Sequence, residues 1–285
     1  MRINHNISAM ITQGSLYQVN REMSKSLERL STGLRINRAS DDAAGLGVSE
    51  NLRTQVNGTA QASKNAQDGI AALTIAEGAA NEVSSILQRM RELAVQSSND
   101  TLTSIERSYT NSEFQALIGE IDRIARVTNY NRQELLSTTA GRFGTGTTGS
   151  VLWVDANDTV GVDSITITID TLTTSALALS SGGTSITHLT SQTSSVSAIS
   201  ALDDAINSVN TMRSDMGAFI NRLEHAINNL AISNTNQQAA ESLIRDVDFA
   251  AETSKYTRNQ ILTQSATAML AQANTLPQTV LTLLR

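Results

Sequence analysis

The 285-residue chain contains no cysteine, one proline and very few aromatic rings, with Phe, Tyr and Trp together making up 3% of it. Without cysteine there is no disulfide framework and no thiolate site for a metal or a redox couple. So few large rings cannot fill a deep globular core, and they favour long helices packed along narrow apolar seams. Surplus positive charge is missing too. A net charge of −6 argues against nucleic acid as a partner, because such binding relies on Lys and Arg meeting phosphate. No run of about 18 apolar residues is present to make the membrane a partner. Met1–Leu30 holds no apolar stretch of the signal-peptide kind, so an exported chain is expected to leave by another route.

What the sequence has is helical periodicity. Near the N-terminus apolar positions fall at Ile3, Ile7, Met10, Gly14 and Tyr17, then resume after a phase slip at Leu16, Val19, Met23, Leu27, Leu30 and Leu34. Steps of three and four describe a helix with one narrow stripe. Gly33 interrupts it, and Ser40 before Asp41 and Asp42 predicts a fresh helix start with acids at the positive end of the dipole. A second seam runs through Ala66, Ile70, Leu73, Ala76, Ala80, Val83, Leu87, Met90 and Ala94 and stops in the polar cluster 97–100. Thr103 and Glu106 have capping-box spacing for a third helix carrying Ile105, Tyr109, Leu117, Ile121 and Ile124.

After Ser137 the composition turns to Gly, Ser and Thr, and β-branched residues at period two around Val151 and Ile165–Ile169 predict a hairpin. The helical period returns from Ser195 through Leu202, Val209, Met216 and Leu223. It ends in strict heptads at Leu262, Ala266, Met269, Ala273, Leu276, Val280 and Leu283. Pro277 lies inside that last stripe and predicts a kink or an early helix end. The Ser- and Thr-dense segment 171–195 is expected on the outer surface.

These readings predict a mainly α fold, an elongated antiparallel helical rod or coiled coil with a small β-hairpin region. Its expected segments are an N-terminal core helix and linker (1–40), rod helices (41–137), a hairpin and Ser/Thr-rich outer segment (138–195), a returning rod helix (196–240) and a C-terminal core helix (241–285). The terminal stripes bury little per turn, so residues before about 40 and after about 240 are expected to fold only on assembly. Basic residues at the N-terminal end (Arg2, Arg21, Lys25, Arg29, Arg35, Arg38) and acids at the C-terminal end (Glu241, Asp246, Asp248, Glu252) would help align the two.

Catalysis has no constellation here. Gly144, Gly146 and Gly149 have dinucleotide-loop spacing with Asp170 about twenty residues on, but the surrounding pattern lacks the strand before and the helix after that hold a pyrophosphate. His5, His188 and His225 are scattered, without a metal-ligand spacing. Asp155, Asn157 and Asp158 lack the glycine and terminal glutamate of a calcium loop. No catalytic, cofactor or metal site is expected, and the chain is not expected to be an enzyme.

Three stretches carry a specific resemblance. Leu30-Ser-Thr-Gly-Leu-Arg-Ile-Asn-Arg-Ala-Ser-Asp-Asp-Ala-Ala-Gly-Leu46, Leu87-Gln-Arg-Met-Arg-Glu-Leu-Ala-Val-Gln96, and the ending Leu270-Ala-Gln-Ala-Asn-Thr-Leu-Pro277-Gln-Thr-Val-Leu-Thr-Leu-Leu-Arg285 resemble bacterial flagellin, the flagellar filament subunit. The resemblance implies a helical homopolymer serving motility, with the terminal helices as filament core and the extracellular flagellum as location. It also implies export by the flagellar type III machinery with a chaperone, and hook-associated and cap proteins as partners. On this reading Ile7, Leu27, Leu30, Leu34, Leu262, Met269, Leu276 and Leu283 are the candidate assembly interface. In many flagellins the matching segment is read by an innate immune receptor of vertebrates, which marks Arg89, Glu92, Leu93 and Glu113 as candidate contacts. A hook-associated junction protein, which shares the flagellin ends, is the alternative.

Overall fold

The computed structural model describes residues 6–137, 149–157, 159, 163–179 and 188–283, with side chains as far as Thr275 in the last helix. The chain divides into two compact units, residues 1–55 with 235–285, and residues 56–234. Among the described residues five helices, α1 (Ile7–Thr32), α2 (Ala43–Ser97), α3 (Ser104–Val127), α4 (Gln192–Arg245) and α5 (Phe249–Leu283), account for most of the fold. Two antiparallel pairs complete it, β1 (Asn129–Tyr130) with β2 (Gln133–Glu134) and β3 (Ser150–Trp153) with β4 (Ser164–Ile167). The expectation of a mainly α chain with a small hairpin region therefore holds.

In residues 56–234, α2 and α4 run antiparallel. Arg91 meets Asp203, Glu77 meets Arg213, and Asn234 donates to the Val56 carbonyl and the Thr59 hydroxyl, so one number falls as the other rises. The seam expected on α2 is the buried one, with Leu73, Val83, Leu87 and Met90 in the core opposite Leu202, Val209, Met216 and Leu223. The third helix starts at the expected capping box. The Thr103 side chain accepts from the Glu106 amide, and Glu106 reaches back to the Thr103 amide. Of its expected stripe, Ile121 is fully buried and Leu117 and Ile124 pack against the core, joined by Phe114 and Ala125. Ile105 and Tyr109 point outward, because the first two turns present Arg107, which donates to the Ser97 carbonyl, and not these two residues to α2.

The hairpin β3–β4 pairs Ser150 with Ile167 and Trp153 with Ser164. It lies on α2 at two glycines. A Cβ on Gly69 would stand 2.4 Å from Leu152, and one on Gly58 would stand 2.6 Å from Ala156, so the absence of a side chain admits the hairpin. The shorter hairpin, unannounced by any alternation, turns through Asn131 and Arg132, both with positive φ.

The segment expected on the outer surface is partly a core element instead. Leu172, Leu179 and Leu189 are fully buried, Thr174 donates to Asp122, and the Leu189 amide donates to Asn111. Leucines spaced among the Ser and Thr supply enough apolar area to anchor it to α3. Residues 180–187 of this segment lie outside the described residues. So do Ile3, His5, Asp158 and the glycines at 144 and 146. Gly149 leads directly into β3, and no helix start follows it to receive a pyrophosphate.

Candidate assembly surface

The unit made of both chain ends is built on α1 and α5. Asn6 meets Ala273, Ser26 meets Glu252, and Leu34 bridges Asp246. Each pair sums to about 280, which is an antiparallel register held along the whole of α1. Gly33 closes α1 in the left-handed region at φ 73°, as its place in the sequence predicts. The chain then pairs briefly as an extended strand, Arg35 donating to the Arg245 carbonyl and Val247 to that of Gly33. The next helix begins two residues later than expected: Asp42, not Ser40, caps it by accepting from the Gly45 amide, while Asp41 accepts from Asn37 and Arg38 and pairs with Lys25.

The residues of α1 turned toward α5 are Ala9, Thr12, Leu16, Val19, Met23, Ser26 and Leu30; those of α5 are Glu252, Tyr256, Asn259, Thr263, Ala266, Leu270 and Ala273. Both sets step by three and four, the signature of a coiled-coil seam. The seam is thin. Ala, Ser and Thr occupy many layers, so each turn buries little apolar area and the pair is marginal by itself.

The interface candidates from the sequence separate on this frame. Leu30 and Leu34 are half-buried within the chain. Ile7 and Leu27 project outward, as do Met10, Ile11 and Tyr17, which lie on the opposite side of α1 from its seam. On α5 the expected heptad divides. Ala266 and Ala273 face α1, but Leu262 (44% exposed) and Met269 (62%) sit one position beside the seam, with Ile261 next to them. The side chains of Leu276 and Leu283 lie outside the described residues. Between residues 6 and 20 and between 259 and 284 there is no Asp, Glu, Lys or Arg. Between those limits the outward stripes carry no charge, which copies can bury without desolvating an ion; at their inner ends the Arg21 guanidinium stands 5.2 Å from the Tyr17 ring centre and Arg258 lies beside Ile261 and Leu262.

Charges concentrate nearer the bridge. The Glu252 carboxylate, nearly enclosed, accepts from the Ser26 hydroxyl at 2.6 Å and from Lys255 at 3.3 Å, with Arg29 at 3.9 Å. Burial pushes its pKa up, but the Ser26 hydrogen bond and the Lys255 and Arg29 charges outweigh that and hold it below the usual range. Its stabilising contribution is therefore fully present above the ordinary Glu value of about 4.3 and is lost as the pH falls through the lowered folded value. Glu252→Gln should weaken the α1–α5 pair by about 1–2 kcal/mol at neutral pH and remove part of its acid sensitivity. Light-scattering titration of assembled material toward pH 3 checks this; an unchanged acid midpoint in the variant would assign the sensitivity elsewhere.

Proline 277 does not end the last helix, which continues to Leu283. A proline has no amide hydrogen for the carbonyl four residues earlier, here that of Ala273. Asn6 supplies the missing donor: its Nδ2 donates to the Ala273 carbonyl at 2.7 Å, while its Oδ1 accepts from the Ala9 amide and caps α1. Asn6→Asp keeps the cap and loses the donor. It should cost about 1 kcal/mol in the native chain and markedly less in a Pro277→Ala background, where the helix provides its own donor; a double-mutant cycle on filament melting reads the coupling.

In the other unit Arg89 donates to Glu113 at 2.9 Å and to Glu92 at 3.0 Å, and these two carboxylates raise its pKa. All three side chains are exposed, but Leu93 faces the core. Among the described residues no cluster of His, Asp or Glu could hold a metal, and no helix is long and apolar enough to cross a membrane.

Comparison with known proteins adds independent information. The profile of the bacterial flagellin N-terminal helical region matches residues 3–140, and that of the C-terminal helical region matches residues 199–284. The chain is 45% identical to the flagellar filament 33 kDa core protein of Treponema phagedenis and 46% identical to the flagellin of Halalkalibacterium halodurans, each over the full length of both chains. A solved chain described as a flagellar hook-associated protein from Vibrio parahaemolyticus is 17% identical, with a TM-score of 0.58 over 72% of this chain and 99% of that one, a likeness of fold alone.

Proposed function

Since this chain belongs to the bacterial flagellin family and is a structural subunit that self-assembles into the flagellar filament, we propose that copies join through the outward stripes of α1 and α5. The single observation that carries this reading is the doubled stripe. Each terminal helix spends one narrow face on the other and leaves a second, apolar face: Ile7, Met10 and Ile11, ending at Tyr17 under Arg21, and Met269, ending at Ile261 and Leu262 beside Arg258. Apolar surface of that kind is favourable only when covered. A thin intramolecular seam beside it couples folding of the ends to assembly, because neighbouring copies add the burial that the pair lacks.

On this reading residues 1–40 and 241–285 form the filament core, 41–137 and 196–240 the rod helices, and 138–195 a hairpin segment anchored to the rod through Leu172, Leu179 and Leu189. The subunit leaves the cell through the flagellar type III export machinery with a chaperone, and in the extracellular filament it meets hook-associated and cap proteins. The exposed Arg89, Glu92 and Glu113 cluster offers a vertebrate innate immune receptor a surface to read, with Leu93 supporting it from the core. Identity over the full length of filament proteins supports the filament role over the hook-associated one.

Limited trypsin digestion tests the coupling. The soluble chain should lose residues before about 40 and after about 240 rapidly, with residues 56–234 persisting, and assembled filaments should protect the ends. Ends that resist as well as residues 56–234 in the soluble chain would show that the pair folds without neighbours.

A further inference from the structure

Six of the seven methionines lie in the described residues, and their surroundings differ sharply. Met90 and Met216 are buried to 1% exposure or less, and Met212 is nearly so. Met23 lies in the α1–α5 seam. Met10 (64% exposed) and Met269 (62%) alone project outward, one on each of the two apolar stripes. A thioether there is apolar and adaptable, suited to packing against an imperfectly matched neighbour. It is also the side chain most readily converted from apolar to polar by a peroxide.

We propose that Met10 and Met269 form an oxidation-sensitive lock on assembly, open to hydrogen peroxide in the unassembled subunit and shielded in the filament. The inference rests on the reading of the outward stripes as contacts between copies. In the reaction the thioether sulfur attacks one peroxide oxygen. An S–O bond forms as the O–O bond breaks, sulfur gives up two electrons, and the other oxygen leaves as water after taking up the proton. The product sulfoxide is a strong hydrogen-bond acceptor on a surface that offers it neither Lys nor Arg within residues 6–20 or 259–284. Burying it between copies strips its water without replacement. Methionine sulfoxide reductases reverse the change, one enzyme for each sulfoxide epimer, so an oxidised subunit is recoverable before it is incorporated.

The test treats full-length soluble chain and preformed filaments with hydrogen peroxide, maps oxygen uptake by peptide mass spectrometry, and measures seeded assembly. In the soluble chain Met10 and Met269, and Met23 with them because the ends are unfolded there, should each gain one oxygen while Met90, Met212 and Met216 do not, and the critical concentration should rise more than tenfold. The two reductases together should restore it. In filaments both residues should be protected. In a Met23→Leu background, which removes the seam thioether that the unfolded ends of the soluble chain also expose, the double variant Met10→Leu, Met269→Leu keeps apolar volume and should assemble after peroxide as the untreated background chain does. If that variant is blocked by peroxide as strongly as the background chain, or if oxidised background chain assembles normally, the lock is overturned while the stripes remain contacts. If Met10 and Met269 oxidise as fast in filaments as in solution, the stripes are not contacts, and both readings fail together.

Discussion

Ile11→Asp should raise the critical concentration for assembly more than a hundredfold and leave the helicity and melting of the soluble chain almost unchanged. Ile11 projects from α1 on the side away from α5, so the substitution removes nothing from the intramolecular seam. In the filament it would place a carboxylate on a surface where residues 6–20 and 259–284 provide no cation. An uncompensated buried charge costs roughly 3–5 kcal/mol, and each 1.4 kcal/mol is a tenfold change in an association constant. Sedimentation of assembled from unassembled chain at graded concentrations measures the first quantity, and circular dichroism measures the second. Unaltered assembly would place the contact between copies on another face of α1.

Phe114→Ala should have the converse signature. The ring is fully buried in residues 56–234, in the same core as Ile121, Leu87 and Met90. Truncation leaves a cavity that long helices, fixed at many other layers, cannot close, at a cost of about 3–5 kcal/mol. For a unit of this size the melting temperature of the soluble chain should fall by about 10 °C. Below the lowered transition the critical concentration should change by less than tenfold, because Phe114 belongs to a core formed before copies meet. Calorimetry of the soluble chain, paired with the same sedimentation assay, separates the two variants. Equal effects of both on melting would mean that the two units fold as one.

Much of this architecture was legible because helices announce themselves locally. The α2 and α4 seams repeat at three and four residues, Thr103 and Glu106 cap α3, Gly33 takes the left-handed conformation at the end of α1, and β-branched alternation marks β3 and β4. Each of these depends on neighbours within a few residues. The misjudged features depend on distant ones. Ile105 and Tyr109 fit a helical stripe, yet the turn that carries them gives its inward face to Arg107, which meets the Ser97 carbonyl. Leu172, Leu179 and Leu189, diluted among Ser and Thr, show no period but reach the core through long-range partners. Pro277 gives local grounds for a kink or an early end; the early end does not occur, and Asn6, remote in sequence, gives the Ala273 carbonyl the donor that proline lacks.

The same division applies to the assembly surface. Composition and periodicity by themselves determined that the chain is helical and that both ends carry apolar stripes in want of a partner. They could not determine which stripe meets which. A heptad read from sequence fixes the spacing of a seam but not its phase when apolar residues occupy neighbouring positions: Leu262 and Met269 lie in the same strict repeat as Ala266 and Ala273. The antiparallel register of α1 on α5, set by the Ser26–Glu252 and Asn6–Ala273 pairs, resolved that ambiguity. It turned Ala266 and Ala273 of that repeat inward, in line with Leu270, and left Leu262 and Met269 outside, where a neighbouring subunit can bury them.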